Sequence, residues 1–163
     1  MENEVASLKQ LLAKKEELAL IAKADLLQLI ISRYGDEAES LIDNHLKESV
    51  KKWAQETAAL DLKNGKKNDI QGLIDFLWEP LKAEGFEFSY QINDGSYQMK
   101  VTKCPMAEIA KRNGIEKWGY KFSCMNDEPI CEGYNPQIKM KRTKTMMEGD
   151  EYCDHLYYIY MLK

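Results

Sequence analysis

The stretch from residue 86 to residue 101 constrains the fold more than any other part of the sequence. Before it, apolar residues recur at three- and four-residue spacings, but here they alternate strictly with polar ones, which is typical of a half-buried strand. Asp94-Gly95 supplies the positive φ angles of a two-residue hairpin turn. This turn sets the register and predicts three apolar cross-strand pairs, namely Ile92 with Tyr97, Tyr90 with Met99, and Phe88 with Val101.

The chain before this hairpin is predicted to be helical. Leucine and isoleucine recur on one face from Leu8 to Ile30, with lysine and glutamate between them, which indicates an amphipathic helix ending near Gly35. A second helix is predicted from Asp36 to Gly65, and a third begins at Ile70 and is kinked or shortened by Pro80.

After the hairpin, the sequence predicts short helices and two more strands. In order, these are a helix over 106–113, a helix over 115–124 that Pro129 interrupts, a strand that begins after Pro136, and, following a turn at 148–150, a strand from about Glu151 to Met161. Helices followed by antiparallel strands are the order expected of an α+β domain. We therefore expect a single domain over residues 1–163, in which a helical region (1–84) packs on a mostly antiparallel sheet formed by the carboxy-terminal half (85–163).

Composition limits the classes of partner. The net charge is −4 and lysines are interleaved with glutamates, so the sequence offers no basic face for nucleic acid. No apolar run approaches the ~18 residues that span a bilayer, and the start lacks the order of a signal peptide. The expected protein is cytoplasmic, makes no membrane contact and binds a small-molecule substrate. Whether its long amino-terminal helices pair in a homodimer is left open.

The clearest candidate chemistry lies near the carboxy terminus. Cys153 and His155 share one face of the predicted last strand, so the imidazole can favour the thiolate that attacks carbon. Asp154 points the other way and cannot orient His155 unless the strand bulges. This pattern is typical of a cysteine-based hydrolytic site. The alternative is a small buried thiol beside an exposed histidine.

The four cysteines allow a second use. In a cytosolic chain they are expected to stay reduced, and they lack the close pairs that make a zinc site legible from sequence. Separately buried thiols are therefore favoured, and no cofactor is predicted. The alternative is a zinc-stabilised site formed by Cys104, Cys124, Cys131 and Cys153.

Three segments together carry a resemblance to a known family: "VTKCPMAEI", "SCMNDEPICEGYNP" and "RTKTMMEGDEYCDHLYY". They resemble the L-2-amino-thiazoline-4-carboxylic acid hydrolase family over about Phe86 to Tyr160, and are distantly similar to 4-vinyl-reductase-type ligand-binding domains. The chain departs from the family pattern at Tyr152, where a second cysteine is common, and at His155-Leu156, where an aromatic residue and arginine are common.

The resemblance implies hydrolytic opening of a 2-aminothiazoline ring at C2, giving a carbamoyl-cysteine. The implied roles are Cys153 as nucleophile or ligand, His155 as proton carrier, Asp154 or Asp127 as the group that orients the amidinium, Arg142 or Lys144 as partner of the substrate carboxylate, and Tyr134 and Asn135 as further substrate-binding residues.

A non-catalytic module is the competing interpretation. Such a module would hold an apolar or thiol-bearing small molecule between the helices and the sheet, in a pocket lined by the aromatic tail that includes Tyr157 and Tyr160.

Overall fold

A computed structural model describes residues 2–160. The chain forms a four-stranded antiparallel sheet with helices packed on it. The α-helices are α1 (Glu2–Lys63), α2 (Ile70–Leu77), α3 (Pro105–Asn113), α4 (Glu116–Phe122) and α5 (Asp127–Tyr134). The strands are β1 (Glu87–Asn93), β2 (Ser96–Lys103), β3 (Ile138–Lys141) and β4 (Cys153–Ile159). Short 3₁₀ helices cover Glu79–Glu84, Cys124–Asn126 and Met146–Glu148. The α+β class is confirmed.

The predicted hairpin is confirmed in turn and in register. Asp94 and Gly95 have φ angles of 47° and 76°, as a two-residue turn between twisted strands requires. All three predicted cross-strand pairs are present between β1 and β2.

The strand order is β1-β2-β4-β3, so β4 lies inside the sheet between two antiparallel neighbours. Cys153, His155 and Tyr157 alternate with more exposed residues along β4 and all face the core. The strand begins two residues later than predicted, and its predicted end at Met161 lies outside the described residues.

The predicted break at Gly35 is confirmed, although helical turns continue on both sides of it within α1. Gly35 has φ 73° and ψ −160°, a backbone conformation open essentially to glycine alone. The second half of α1 supplies Ala54 and Ala58 to the main core, together with Leu73 and Ile74 of α2 and inward residues of the sheet. The hydrophobic effect of burying these side chains holds the helices on the sheet.

One helix differs from the prediction. Pro129 was expected to interrupt the helical pattern, but a separate helix, α5, runs through Pro129 to Tyr134. The proline is tolerated because it lies in the first turn, where no backbone N–H is needed. Gly133 then allows close packing on α1, since a Cβ at this position would clash with the carbonyl oxygen of Lys51.

Among residues 2–160, no helix combines the length and the apolar character that crossing a bilayer requires.

Candidate active site

A cavity of about 370 Å³ lies between the helices and the sheet. Most of its wall is apolar and comes from Val50, Trp53, Leu77, Trp78, Leu81, Phe86, Val101, Met106, Phe122 and Ile130. The rest of the wall is polar or carries thiols, and it consists of Glu84, Cys104, Ser123, Cys124, Asn126, Asp127, Arg142, Cys153 and His155. Five of the residues that the sequence singled out for chemistry or as metal alternatives, together with Arg142, therefore face one space.

Cys153 begins β4 and is only 7% exposed. Its Sγ accepts the backbone N–H of Met146 at 3.2 Å, a contact that holds the sulfur beside the turn before β4. The hydroxyl of Thr145 lies 3.8 Å from this sulfur and 3.7 Å from the sulfur of Cys124. One threonine thus joins two of the thiols.

His155 follows two positions later on the same face and is 3% exposed. The edge of its ring meets Trp78, with centroids 5.0 Å apart. Its Nε2 lies 3.5 Å from Oδ2 of Asp127, while Nδ1 is buried and has no hydrogen-bond partner in the described part of the chain. Asp127 is placed to orient the ring, which leaves Nδ1 as the nitrogen available for proton transfer.

Asp127 also forms an ion pair with Nη1 of Arg142. Nη2 of the same guanidinium donates to the carbonyl of Cys124 at 3.0 Å and approaches the hydroxyl of Tyr120 at 3.4 Å. Burial opposes the charge of Arg142, but the attraction of Asp127 raises its pKa above the ordinary value. The arginine predicted to meet a substrate carboxylate is therefore already balanced by a carboxylate of the protein.

Asp154 lies on the opposite face of β4, as its position in the strand predicts. Its carboxylate accepts the backbone N–H groups of Thr143 and Lys144 and the hydroxyl of Thr143, at 2.6–2.8 Å. Burial would raise the pKa of Asp154, but these hydrogen bonds lower it below the usual range. The residue does not line the cavity. It holds the segment that carries Arg142 and Thr145.

Three other predicted substrate-binding residues do not line the cavity either. Lys144 lies over the ring of Tyr152, at 4.6 Å from its centroid, and borders a separate polar cleft of about 420 Å³ that also includes Arg142 and Cys124. Tyr134 donates to Asp61 at 3.0 Å, and Asn135 donates to the carbonyl of Asn68 at 2.6 Å. The last two contacts fix the end of α5 against α1 and the loop after it.

The four cysteines do not form a single group. Cys131 is buried in the main core and is absent from the cavity wall. Burial raises the pKa of Cys104, and burial together with the charge of Asp127 raises the pKa of Cys124 to about 12, so both remain thiols near neutrality. All four are free, and no cluster of three metal-ligating side chains occurs within residues 2–160.

Sequence reasoning missed most of the cavity wall. Six of the ten apolar side chains come from residues 50–86, a region whose sequence pattern indicates buried helix faces and the start of a strand but no cavity. The aromatic tail was expected to line the pocket, but Tyr157 is fully buried and its hydroxyl accepts the indole N–H of Trp78 at 3.0 Å. One sequence feature pointed to Asp127 as a site residue, namely that it lies with Cys124 in one of the three segments that carry the family resemblance.

The fold and site define a class: an α+β domain that encloses a largely apolar cavity with a thiol, an imidazole and a carboxylate in its wall. The family model described as L-2-amino-thiazoline-4-carboxylic acid hydrolase matches residues 14–157. The chain belongs to this family. The match also covers much of the helical region, which lies outside the three segments that carry the resemblance.

A trafficking protein particle complex subunit 3 from Naegleria fowleri, solved covalently bound to palmitic acid, has a similar structure. The TM-score is 0.54 at 13% identity, covering 90% of this chain and 96% of that one. At this identity the similarity concerns the fold. No curated protein is significantly similar to the chain.

Proposed function

We propose that the protein is a hydrolase that opens a small cyclic amidine of the 2-amino-thiazoline-4-carboxylate type. The observation that carries this proposal is the shared cavity wall of Cys153, His155 and Asp127, which supplies a nucleophile, a proton carrier and a group that orients it. Membership of the family supports the same reaction class. The proposed setting is the cytoplasm, with a small molecule as the substrate.

In the proposed reaction, the Cys153 thiol gives its proton to His155 as Sγ attacks C2 of the ring. The proton then passes to the departing ring atom as its bond to C2 breaks, which leaves C2 bound to Sγ. Water adds to C2 with His155 as base, the C2–Sγ bond breaks, and the thiol regains its proton. The product is a carbamoyl-cysteine, and one water is consumed.

The remaining residues take supporting roles in this proposal. Asp127 holds the imidazole and is itself held by Arg142. Lys144 is the proposed partner of the substrate carboxylate, because it borders the polar cleft that shares Cys124 and Arg142 with the cavity. Asp154, Tyr134 and Asn135 act by positioning the backbone around the site.

The test is an assay of the full chain with L-2-amino-thiazoline-4-carboxylate, with carbamoyl-cysteine measured by mass spectrometry. Cys153→Ala is expected to lose at least ~10³-fold in rate, and His155→Gln ~10²-fold or more. Cys104→Ser is the matched control, since it removes a thiol from the same cavity but keeps a cap that can accept the Ala107 N–H. It should stay within ~3-fold of the original chain.

The proposal fails if the original chain releases no carbamoyl-cysteine, or if Cys153→Ala turns over as fast as Cys104→Ser. Circular dichroism of each variant separates lost chemistry from lost fold.

A non-catalytic binding function is the second candidate, and the apolar character of the cavity favours it. A wall built mainly from aromatic and aliphatic side chains suits a hydrocarbon chain better than a small zwitterion. The structurally similar Naegleria protein carries covalent palmitic acid, which gives the candidate a concrete ligand. Saturable binding of hexadecanoate, followed through tryptophan fluorescence, with no turnover of the thiazoline would support this function over the first.

A further inference from the structure

The amino-terminal half of α1, residues 2–34, carries an apolar stripe that faces outward. Its six leucines are 49–66% exposed and recur on one face: Leu8, Leu11, Leu12, Leu18, Leu26 and Leu29. We call this set the leucine stripe. Ala19 and Ala22 lie on the same face at its centre. Lys15 is the one charged side chain within the stripe, between Leu11 and Ala19. A row of exposed leucines of this length marks an interaction site.

The opposite face of the same half is attached to the domain. Leu20 and Ala24 are buried there. One carboxylate oxygen of Glu17 accepts hydrogen bonds from Arg112 at 2.9 Å and from Asn113 at 3.0 Å, both at the end of α3. The leucine stripe therefore points away from the sheet because its helix is fixed on the other side.

We propose that this stripe is a self-association surface, which pairs with the same stripe of a second copy in antiparallel orientation about a two-fold axis. The interface would be isologous, the usual form for a dimer of identical chains. Ala19 and Ala22 would allow the two helices to approach closely at the axis, and the leucines would interdigitate toward both ends.

Charge complementarity favours a second copy as the occupant and is satisfied in the antiparallel orientation. Glu16 and Lys23 flank the stripe on one side, and Lys14 and Asp25 flank it on the other. In an antiparallel pair, each flank lies against the same flank of the second copy. A single register then places Lys23 opposite Glu16 of the second copy and Lys14 opposite Asp25 of the second copy, because both pairs are centred between Ala19 and Leu20. A parallel pair in register would place Glu16 near Lys14 and Lys23 near Asp25 of the second copy, so these charges favour a second copy in either orientation, and charge reversal distinguishes the two.

A membrane surface fits the stripe less well than a second copy. Helices that lie in a bilayer interface carry an excess of lysine and arginine beside their apolar face. Residues 2–34 carry five acidic and five basic side chains, so this half of α1 has no such excess.

The first experiment is sedimentation equilibrium of the full chain. The original protein should be a dimer, and the double variant Leu18→Glu, Leu29→Glu should raise the dimer dissociation constant at least ~100-fold. The matched control is Leu41→Glu, which alters a leucine that is 72% exposed beyond the Gly35 break and should leave association unchanged. A monomer at every concentration, or an unchanged mass for the double variant, would overturn the proposal. So would a monomer that binds phospholipid vesicles through the stripe.

A second experiment tests orientation, and it uses substitutions that spare the leucines. Lys23→Glu should weaken the dimer ~3- to 10-fold, since it affects two symmetric exposed pairs, and adding Glu16→Lys should restore the original affinity. Ala19→Cys should form an intermolecular disulfide on oxidation, whereas Ser40→Cys, beyond the break, should not. Absence of rescue and of the disulfide would overturn the antiparallel pairing.

Discussion

Asp127 is the residue on which the candidate site depends most, because one carboxylate contacts both Arg142 and His155. The Arg142 side chain is only 10% exposed, and Asp127 is the only carboxylate paired with it among the described residues. An unbalanced charge at such a site is costly.

We therefore expect Asp127→Asn to lower the free energy of unfolding by about 3–5 kcal/mol, the range found when one partner of a buried ion pair is removed. Urea unfolding measures the change. Glu132→Gln is the control, because its ion pair with Lys51 is largely exposed and should contribute about 1 kcal/mol or less. Equal losses for the two variants would contradict a buried role for Asp127.

The stabilising effect of Asp154 should depend on pH. Burial would raise the pKa of Asp154, but hydrogen bonds from Thr143 and Lys144 outweigh it and lower the folded-state pKa below 3.8. A lowered folded pKa means that the carboxylate stabilises the fold above the unfolded pKa, and that this stabilisation is lost as pH falls through the folded pKa.

Asp154→Asn should thus be clearly less stable than the original chain near neutral pH, and the difference should shrink below about pH 3.8. Unfolding in urea at a series of pH values measures it. A difference that stays constant over the whole range would show that the charge of Asp154 does not stabilise the fold.

At the scale of elements, the β1–β2 hairpin and α5 show which structures a sequence specifies. The hairpin follows from an alternating pattern and one turn, both local, so its register was predictable. The helix α5 was not, because Pro129 and Gly133 disfavour a helix locally. Packing against α1 outweighs that preference, and glycine allows the packing.

Gly133→Ala should therefore destabilise the protein although alanine is the better helix former. The added methyl meets the backbone of α1 at Lys51, which cannot move without shifting the helix. The expected cost is about 1–3 kcal/mol from overpacking, measured by thermal or urea unfolding. Glu128→Ala, an exposed change in the same helix, should change stability by less than about 0.5 kcal/mol. A stabilised Gly133→Ala variant would mean that α5 can withdraw from α1.

At the scale of the whole molecule, the chain divides into a cavity-bearing body and an attached helix. The main core takes Val50, Ala54 and Ala58 from α1, all beyond the Gly35 break. The helix before the break is held through Leu20, Ala24 and Glu17, whose pKa is lowered to about 2 chiefly by the hydrogen bond from Asn113 and then by Arg112.

A chain that begins at Asp36 should accordingly fold cooperatively, keep the near-ultraviolet circular dichroism of its buried tryptophans and lose the dimer. Removal of the docked helix exposes the small surface that Leu20 and Ala24 cover, so a lower melting temperature is expected with an intact transition. Non-cooperative melting would show that the body needs the first half of α1.

The sequence by itself determined the features that neighbouring residues specify: the hairpin and its register, the helical first half with its break at Gly35, the shared face of Cys153 and His155, and the family. Only the tertiary structure decided that Asp127 meets His155, that Arg142 is already paired, and that residues far apart in the helical half and the sheet half share one cavity wall. The physical reason is range. Local patterns fix backbone conformation, whereas a cavity is formed by side chains far apart in sequence, whose meeting depends on how whole helices pack on the sheet.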